Sequence, residues 1–204
     1  MGPDGNLWFT DQGTTSAIGR IGAGAPAASV IPPAVTGSAG VGVPQACGGD
    51  VWSTWAGQQP SHSAFGFDGY QWLLDGSAIT GATGQSYTPT VANAGHLLSC
   101  EATVTYTLLA VTVSATSAAV QVKGAAEQLT DLGAAVAGVG PGHSLAGKVT
   151  QVQGFVAAND TADACATLDA FISEVNAQTG KKINTAQAAS FTTQAQDIEA
   201  ALGC

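Results

Sequence analysis

From residue 125 to the end of the chain, apolar side chains recur at intervals of three and four residues. This spacing places them along one face of an α-helix, so four amphipathic helices are predicted. The four sets are Leu129, Leu132, Val136 and Val139; Leu145, Val149, Val152 and Val156; Cys165, Leu168, Ile172 and Val175; and Phe191, Ala195, Ile198 and Leu202. Because the turns between them are short, we expect an antiparallel four-helix bundle.

Helix start and stop signals agree with this division. A Pro-Gly pair at 141–142 separates the first helix from the second, which Ser144 is expected to cap. Residues 159–161 end the second helix and cap the third, and Gly180 ends the third. Asn184 and Gln187 have the spacing of a capping box for the fourth helix.

Upstream of residue 123 the period shortens to two, as in β-strands. Leu98, Cys100, Ala102 and Val104 alternate with Ser99, Glu101 and Thr103, which predicts one buried and one exposed face. Further strands are predicted over 70–74, at Ile79, over 87–91 and over 114–122. Asp75-Gly76 is a strong signal for a two-residue hairpin turn. These features predict an antiparallel β-sandwich.

The beginning of the chain follows a third pattern. Short strands over 7–10 and 18–21 flank a polar turn and predict a hairpin. The region 23–42 is rich in Ala, Gly, Pro and Ser and has no charged residue, so we expect a linker, with residues 29–33 able to join either neighbour. The predicted division is therefore a hairpin over 1–22, a linker over 23–42, a sandwich over 43–122 and a bundle over 125–204.

The net charge limits the classes of partner that the chain is expected to bind. The net charge is -9, from 14 acidic residues against 5 lysines and arginines. Because phosphate contacts depend on clustered Lys and Arg, we expect neither nucleic-acid binding nor attraction to anionic lipid surfaces. There is no apolar run of about 18 residues, so no membrane insertion is expected. The start of the chain does not have the pattern of a signal peptide, which leaves two interpretations, a cytosolic protein or a piece of a longer exported one.

The positions of the four cysteines help to decide between a cytosolic and an exported protein. Their positions split into Cys47 with Cys100 and Cys165 with Cys204, one pair in each predicted domain. In an antiparallel bundle the start of the third helix and the end of the fourth are neighbours, which brings the second pair together. Neither C-x-x-C spacing nor a nearby histidine suggests a metal site. Structural disulfides and an oxidising, extracellular or cell-surface location are predicted, with four buried free thiols as the alternative.

The middle segment resembles bacterial Ig-like domains of cell-surface and secreted proteins. The resemblance is carried by Cys47 with Trp52, then YQWLLDG, AITGATGQSYTPT, NAGHLLSCEATVT and SAAVQV. It implies that Cys47 and Cys100 face each other across two sheets and that Trp72 packs against the bridge as a core marker. Leu98 stands where the family often has tyrosine, so no tyrosine corner is expected.

The two ends of the chain resemble other families. The helical segment, through His143-Ser144-Leu145, Lys148 and the run LDAFISEV, resembles the FIMAH domain of secreted bacterial proteins, which implies no catalytic role. The stretch PDGNLWFT followed by IGRI resembles one blade repeat of a virginiamycin B lyase-like β-propeller. That resemblance covers about 20 residues and implies that further blades lie upstream in a longer parent chain.

Candidate chemistry is sparse. His62, His96 and His143 fall in separate loops, and a His143-Ser144 nucleophile pair competes with capping by Ser144. Asp160 and Asp163 suit the positive end of a helix better than acid-base catalysis. Asp4, Asn6 and Asp11 offer at best a partial calcium site. We predict no catalytic residues, no metal and no cofactor.

Ligand binding is the remaining possibility. Trp52 and Trp55 lie close together, and we expect Trp52 to be packed and Trp55 to be a candidate platform for stacking on a sugar. The segment 53–68 is either a binding loop or an insertion. The sequence favours a non-catalytic C-terminal part of an exported bacterial protein that serves in spacing, surface presentation or binding to cell-wall or extracellular polysaccharide. The alternative is the terminal fragment of a virginiamycin B lyase-like enzyme whose catalytic blades lie upstream.

Overall fold

A computed structural model describes residues 7–11, 17–21, 28–54, 57–60, 66–106, 111–140 and 142–204. In these residues an antiparallel β region precedes four packed helices, which confirms the predicted fold class. The strands are β1 (Leu7–Asp11), β2 (Ala17–Ile21), β3 (Ala28–Ile31), β4 (Ala34–Thr36), β5 (Gln45–Gly48), β6 (Val51–Thr54), β7 (Gly57–Pro60), β8 (Gly66–Leu74), β9 (Ser77–Ala78), β10 (Ser86–Tyr87), β11 (Leu97–Tyr106), β12 (Val111–Thr116) and β13 (Val120–Gln121). The helices are α1 (Ala125–Val136), α2 (Ser144–Ala157), α3 (Thr161–Gln178) and α4 (Thr185–Leu202).

The β region is built from several small antiparallel sheets. Strands β1 and β2 pair as a hairpin, and the other sheets have the orders β10-β5-β4, β3-β6-β7 and β12-β11-β8-β9, with β13 beside β11. The turn between β8 and β9 is the predicted Asp75-Gly76 hairpin. Both residues have positive φ, 49° and 78°, as a type I′ turn requires.

Strand β11 forms the centre of the β core. The side chains of Leu98, Cys100, Ala102 and Val104 are fully buried, as the alternating pattern predicts. Ser99, expected on the outer face, is buried as well. Cys100 lies opposite Trp72 in the pairing of β11 with β8, and its sulfur is bonded to Cys47 on β5. The disulfide therefore joins two different sheets beside a buried tryptophan.

Trp72 is fully buried and has a polar anchor. Its indole Nε1 donates a hydrogen bond to the carbonyl of Gly84 at 2.9 Å, and its ring centroid lies 5.7 Å from that of Tyr87. The indole N–H is thus satisfied inside the core, which removes the cost of burying it.

Two parts of the β region differ from the sequence-based expectation. Within the region 23–42, expected as a linker, β3 pairs with β6 and β4 pairs with β5, while the two prolines at 32–33 fall between the strands, where no ladder hydrogen bond is needed. The single strand expected over 114–122 is broken into β12 and β13. Ser117 lies at the break, where its hydroxyl accepts from the Cys100 amide and donates to the carbonyl of Ala118. The exact domain boundaries stay a prediction.

The four helices enclose a second apolar core. Its buried residues include most of the stripe residues named above together with Phe171, Ile183 and Ala188. Val139, Val156, Ile172 and Leu202 are only partly buried against it, and Cys165 of the predicted α3 stripe lies outside it, with Ala164 buried instead. Helix α1 contacts α2 and α4, and α3 contacts α2 and α4, so the helices form a closed bundle. The predicted capping box is present, since Asn184 accepts from the Gln187 amide and Gln187 accepts from the Asn184 amide.

A second disulfide fastens the open end of the bundle. Cys165 in the second turn of α3 is bonded to Cys204, just beyond α4, with 5.8 Å between the two Cα atoms. The bridge closes a loop of 39 residues, for which chain entropy predicts a stabilisation of about 4 kcal/mol. Each of the two domains thus has its own disulfide, in the pairing that the sequence predicts.

The substitution Trp72→Ala tests the β core. We expect it to lower the free energy of unfolding by about 3 to 5 kcal/mol, because it opens a cavity and leaves the Gly84 carbonyl without its donor. Denaturant unfolding followed by far-ultraviolet circular dichroism measures the change. The matched control is Val91→Ala, at a side chain that is 62% exposed, where the change should stay within about 0.5 kcal/mol. A loss below about 1 kcal/mol for Trp72→Ala would contradict this account of the core.

Candidate functional site

The candidate residues from the sequence are dispersed over the structure. The four cysteines form the disulfides Cys47–Cys100 and Cys165–Cys204. Trp72 lies in the β core. Trp55, the candidate sugar platform, lies outside the described residues, as do His62, Asp4 and Asn6. Of the segment 53–68, the described part includes β7, which pairs with β6 as a hairpin.

A buried polar cluster lies next to the segment that contains Trp55. Trp52 is fully buried, and its Nε1 donates to Oδ2 of the buried Asp50 at 2.6 Å. Burial raises the pKa of the nearby Tyr70 hydroxyl, the charge of Asp50 raises it further, and a hydrogen bond with the Gln85 side chain lowers it. Trp52 is therefore a packed residue, as expected, with no face free for a sugar. Sequence reasoning missed Asp50 and Tyr70, although an acidic residue two positions before a core tryptophan is a usable signal.

His96 forms a pair with the hairpin turn instead of a catalytic dyad. Its Nδ1 lies 2.6 Å from Asp75 Oδ2, while Asp75 Oδ1 accepts from the Leu97 amide at 2.9 Å. The Leu97 amide is the main cause that lowers the pKa of Asp75, and His96 adds to it. Both side chains are about half exposed. The arrangement holds the turn after β8 against the start of β11.

Ser144, Lys148 and Glu174 form a polar cluster between α2 and α3. The sequence-based expectation that Ser144 caps α2 is wrong, because His143 occupies the N-cap position and Ser144 is the first helical residue. The Ser144 hydroxyl instead donates to Glu174 Oε2 at 2.9 Å, and Lys148 Nζ donates to the same oxygen at 2.6 Å. The Lys148 hydrogen bond is the largest cause that lowers the pKa of Glu174, and partial burial opposes it. The shared carboxylate clamps two antiparallel helices together.

The carboxylates at the start of α3 have a capping role. Asp160 is the N-cap residue, and its Oδ1 accepts from the Asp163 amide at 3.2 Å. Asp163 lies in the first turn, where negative charge favours the positive end of the helix dipole. The sequence-based interpretation of these two residues is consistent with this geometry.

The β region meets the bundle through a set of polar contacts between distant parts of the chain. The segment 38–43, here called the junction loop, runs beside Lys123, two residues before α1 begins. The Val41 amide donates to the Lys123 carbonyl at 2.9 Å, and the Lys123 amide donates to the Ala39 carbonyl at 2.7 Å. The two segments form a short parallel bridge at Gly40 and Lys123.

Gln128 extends this bridge into the first helix. The side chain is buried, and its Nε2 donates to the carbonyls of Val41 at 3.2 Å and of Lys123 at 3.1 Å. Because both acceptors lie at the domain boundary, their satisfaction depends on α1 staying docked. Loss of the amide would remove this donor from the Val41 carbonyl, at about 1 kcal/mol or more, and would leave the Lys123 carbonyl with the Val41 amide as its donor.

Helix α4 docks against the other side of the junction loop. Gly42 has φ of +79°, and a Cβ atom placed on it would lie 2.8 Å from the Cβ of Ala200. The neighbouring Ala201 belongs to the same buried cluster as Val41 and Cys47 of the β region. The β core therefore continues into the last turn of α4.

A small cavity of about 110 Å³, bordered by polar residues, lies at this boundary. Its lining includes Lys123, Asp131 and Asp197. Lys123 pairs with Asp131, with 2.5 Å between Nζ and Oδ2, and burial raises the pKa of Asp197. The cavity is large enough for a few water molecules, which suits the polar rim of a domain contact.

Within the described residues, no group of three or more His, Cys, Asp or Glu side chains is placed to hold a metal ion. None of the described helices is long and apolar enough to cross a membrane. Comparison with protein-family models, curated proteins and solved structures yields no match for this chain.

Removing the amine of the helix clamp, as in Lys148→Met, tests the electrostatics of the bundle. The pKa of Glu174 should rise, because its main stabilising donor is lost while its partial burial remains. The folded-state pKa of Glu174 is lowered, so the clamp stabilises the fold above the unfolded-state pKa and the effect is lost as pH falls through the folded-state pKa. We expect a loss of about 1 to 2 kcal/mol at neutral pH that shrinks in acid.

Carboxyl NMR titration and urea unfolding at several pH values measure this change. Lys123→Met is the matched control, because its ion pair with Asp131 is about half exposed and should contribute less than about 0.5 kcal/mol. An unchanged Glu174 titration in Lys148→Met would contradict the clamp.

Proposed function

We propose that this chain is a non-catalytic C-terminal part of an exported bacterial protein, which spaces and presents neighbouring parts of that protein outside the cell and contacts an extracellular polymer. In this proposal the β region is an Ig-like domain and the bundle is a FIMAH-like domain. The described structure shows an antiparallel β region followed by four packed helices, which is the order of domains that this proposal requires. The two family names depend on the sequence resemblances.

The observation that carries the proposal is the docked junction between the two domains. A presenting module has to keep its ends at a fixed distance, and domains joined by a free linker do not. Here the junction loop bonds to Lys123 and Gln128, and Ala201 of α4 lies in the β core. Inter-domain motion is the usual expectation unless an interface is extensive and apolar. The continuous core and the buried Gln128 amide favour a fixed arrangement in this chain.

The covalent chemistry supports export. Two disulfides, one in each domain, point to an oxidising environment. Disulfides inside each domain also suit a module that has to resist unfolding outside the cell, where no chaperone system refolds it.

A second candidate function is favoured by the N-terminal hairpin. Strands β1 and β2 pair in continuous register from Leu7 opposite Ile21 to Asp11 opposite Ala17. Trp8 and Phe9, on opposite faces of this ribbon, are each about half exposed, and Ile18 is 73% exposed. Apolar side chains on both faces are what a propeller blade has between two neighbouring blades. The chain would then be the terminal part of a virginiamycin B lyase-like enzyme.

The reading frame upstream of Met1 discriminates between these two functions. Under the second candidate we expect further PDGNLWFT-like repeats at a regular spacing, preceded by a leader sequence. Sequencing of the genomic region and mass spectrometry of the native secreted protein provide the test. An upstream frame that encodes a leader sequence but no PDGNLWFT-like repeat, with a native mass to match, would exclude the second candidate and leave the first.

The junction is tested by Gly42→Ala. The new Cβ would collide with Ala200 and strain a backbone with positive φ, so α4 should separate from the junction loop. Gly49→Ala is the matched control, because Gly49 has nearly the same φ, +78°, with no atom within 4 Å of an added Cβ. Small-angle X-ray scattering should show a wider distribution of interatomic distances for Gly42→Ala and an unchanged one for Gly49→Ala. Identical scattering for Gly42→Ala and the wild-type chain would remove the fixed junction from the proposal.

A further inference from the structure

Charge is distributed unevenly along the axis of the helical bundle. Helix α1 runs away from the β region and α2 runs back towards it. Helices α3 and α4 repeat this path, because the bond between Cys165 near the start of α3 and Cys204 beyond α4 places those two points together. The loops between α1 and α2 and between α3 and α4 therefore meet at the end remote from the β region. The position of Gly140 agrees with this, because a Cβ atom placed on it would lie 3.1 Å from Leu145 Cδ1 and 4.0 Å from Ile183 Cδ1.

Acidic side chains are concentrated in the half of the bundle that faces the β region. The helices and the α3 N-cap have eight carboxylates, and seven of them lie there or at mid-length, namely Glu127, Asp131, Asp160, Asp163, Asp169, Asp197 and Glu199. The remote end has one carboxylate, Glu174, and all three lysines of the bundle, Lys148, Lys181 and Lys182. Three lysines and one glutamate give this end a net charge of +2 in a chain of net charge -9.

We call the remote end the basic tip and define it as His143, Lys148, Glu174 and the segment 180–187. Lys148 is held by Glu174, so it does not present a free charge. Lys181 is exposed, and its Nζ donates to the Ala177 carbonyl at the end of α3. An ammonium group has three donors, so two remain. Lys182 is exposed in the same turn.

The two exposed lysines border an open hollow of about 470 Å³. Its lining, residues 180–185 and Gln187, contains no carboxylate, and the uncharged polar side chains there are Asn184, Thr185 and Gln187. The hollow is a shallow surface that fits part of an extended, hydroxyl-rich chain better than a compact ligand. Amide and hydroxyl groups next to two ammonium groups match a sugar polymer whose units carry carboxylates.

We propose that the basic tip binds an acidic polysaccharide, through ion pairs of Lys181 and Lys182 with successive uronate carboxylates. The inference rests on the proposed function, since it names the class of extracellular polymer that this module contacts. The acidic half of the bundle and the acidic chain as a whole repel such a polymer, so attraction is confined to the tip and orients the molecule with its β region away from the polymer.

Retention of the full chain on immobilised polygalacturonate tests the proposal. We expect the wild-type chain to be retained at low salt and released by about 0.5 M NaCl, because screening weakens exposed ion pairs. The double substitution Lys181→Gln with Lys182→Gln should weaken binding about tenfold. For a matched single change of charge, Lys182→Gln should weaken binding, whereas Lys123→Gln, next to the β region, should leave it unchanged. Circular dichroism establishes that each variant is folded.

Three results would overturn the proposal. They are the absence of wild-type retention, equal retention of the double variant, and equally strong binding to immobilised polyphosphate, which would show a general attraction to anions. Retention on dextran, a neutral polysaccharide, distinguishes polymer contact in general from binding at the basic tip. The control variant for dextran is Trp55→Ala. Retention on dextran that Trp55→Ala abolishes, with none on polygalacturonate, would leave polymer contact in place and remove the tip. Retention on neither polymer would remove polymer contact from the proposed function and leave spacing and presentation.

Discussion

The arrangement of the two domains depends on the buried amide of Gln128. This side chain donates to the carbonyls of Val41 and Lys123, which lie on the two segments that the chain has to bring together before α1 can begin. A carbonyl buried against α1 without a donor would be costly, so the Gln128 amide stabilises the contact between α1 and the junction loop. Gly42 then allows α4 to approach so closely that a Cβ atom would not fit. Two small domains thereby share one continuous boundary.

Each domain is stabilised separately by the same combination of an apolar core and one disulfide. In the β region the bridge links two sheets beside Trp72, whose N–H has its own acceptor. In the bundle the bridge ties the start of α3 to the chain end beyond α4, so the last helix cannot fray away from the β core that Ala201 completes. Both disulfides lie within a domain, and no disulfide joins the β region to the bundle. Mechanical coupling of the two domains therefore depends on packing and hydrogen bonds at the junction.

Local signals in the sequence predicted the local structure well. The turn at Asp75-Gly76, the capping box of Asn184 and Gln187 and the four helices each depend on residues close together in sequence, and all are present. The pairing of β4 with β5 was not predicted, because its partners come from an Ala- and Pro-rich stretch with no clear alternation. Ser144 was misassigned because its hydroxyl finds Glu174, 30 residues away, and does not cap its own helix.

The candidate sites, too, depend on contacts between residues that are far apart in sequence. No spacing rule connects Gly42 to Ala200 or residue 41 to Gln128, so the junction could be recognised only after the chain was folded. The basic tip depends on helix direction, which places the loop of Lys181 and Lys182 next to the start of α2. The antiparallel topology was predicted from the short turns. The uneven distribution of charge along the bundle became visible only when the α1–α2 loop and the α3–α4 loop were placed at the same end. Trp55, the residue favoured from sequence, still stands as a prediction.

Backbone ¹⁵N relaxation of the wild-type chain tests the central claim most directly, because it reports the tumbling of each domain separately. A fixed junction predicts the same rotational correlation time for amides of β8 and β11 as for amides of the four helices, at the value of a single body of 20.1 kDa. Two distinct and shorter correlation times, one for the β region and one for the bundle, would show that the domains move independently and would contradict the account.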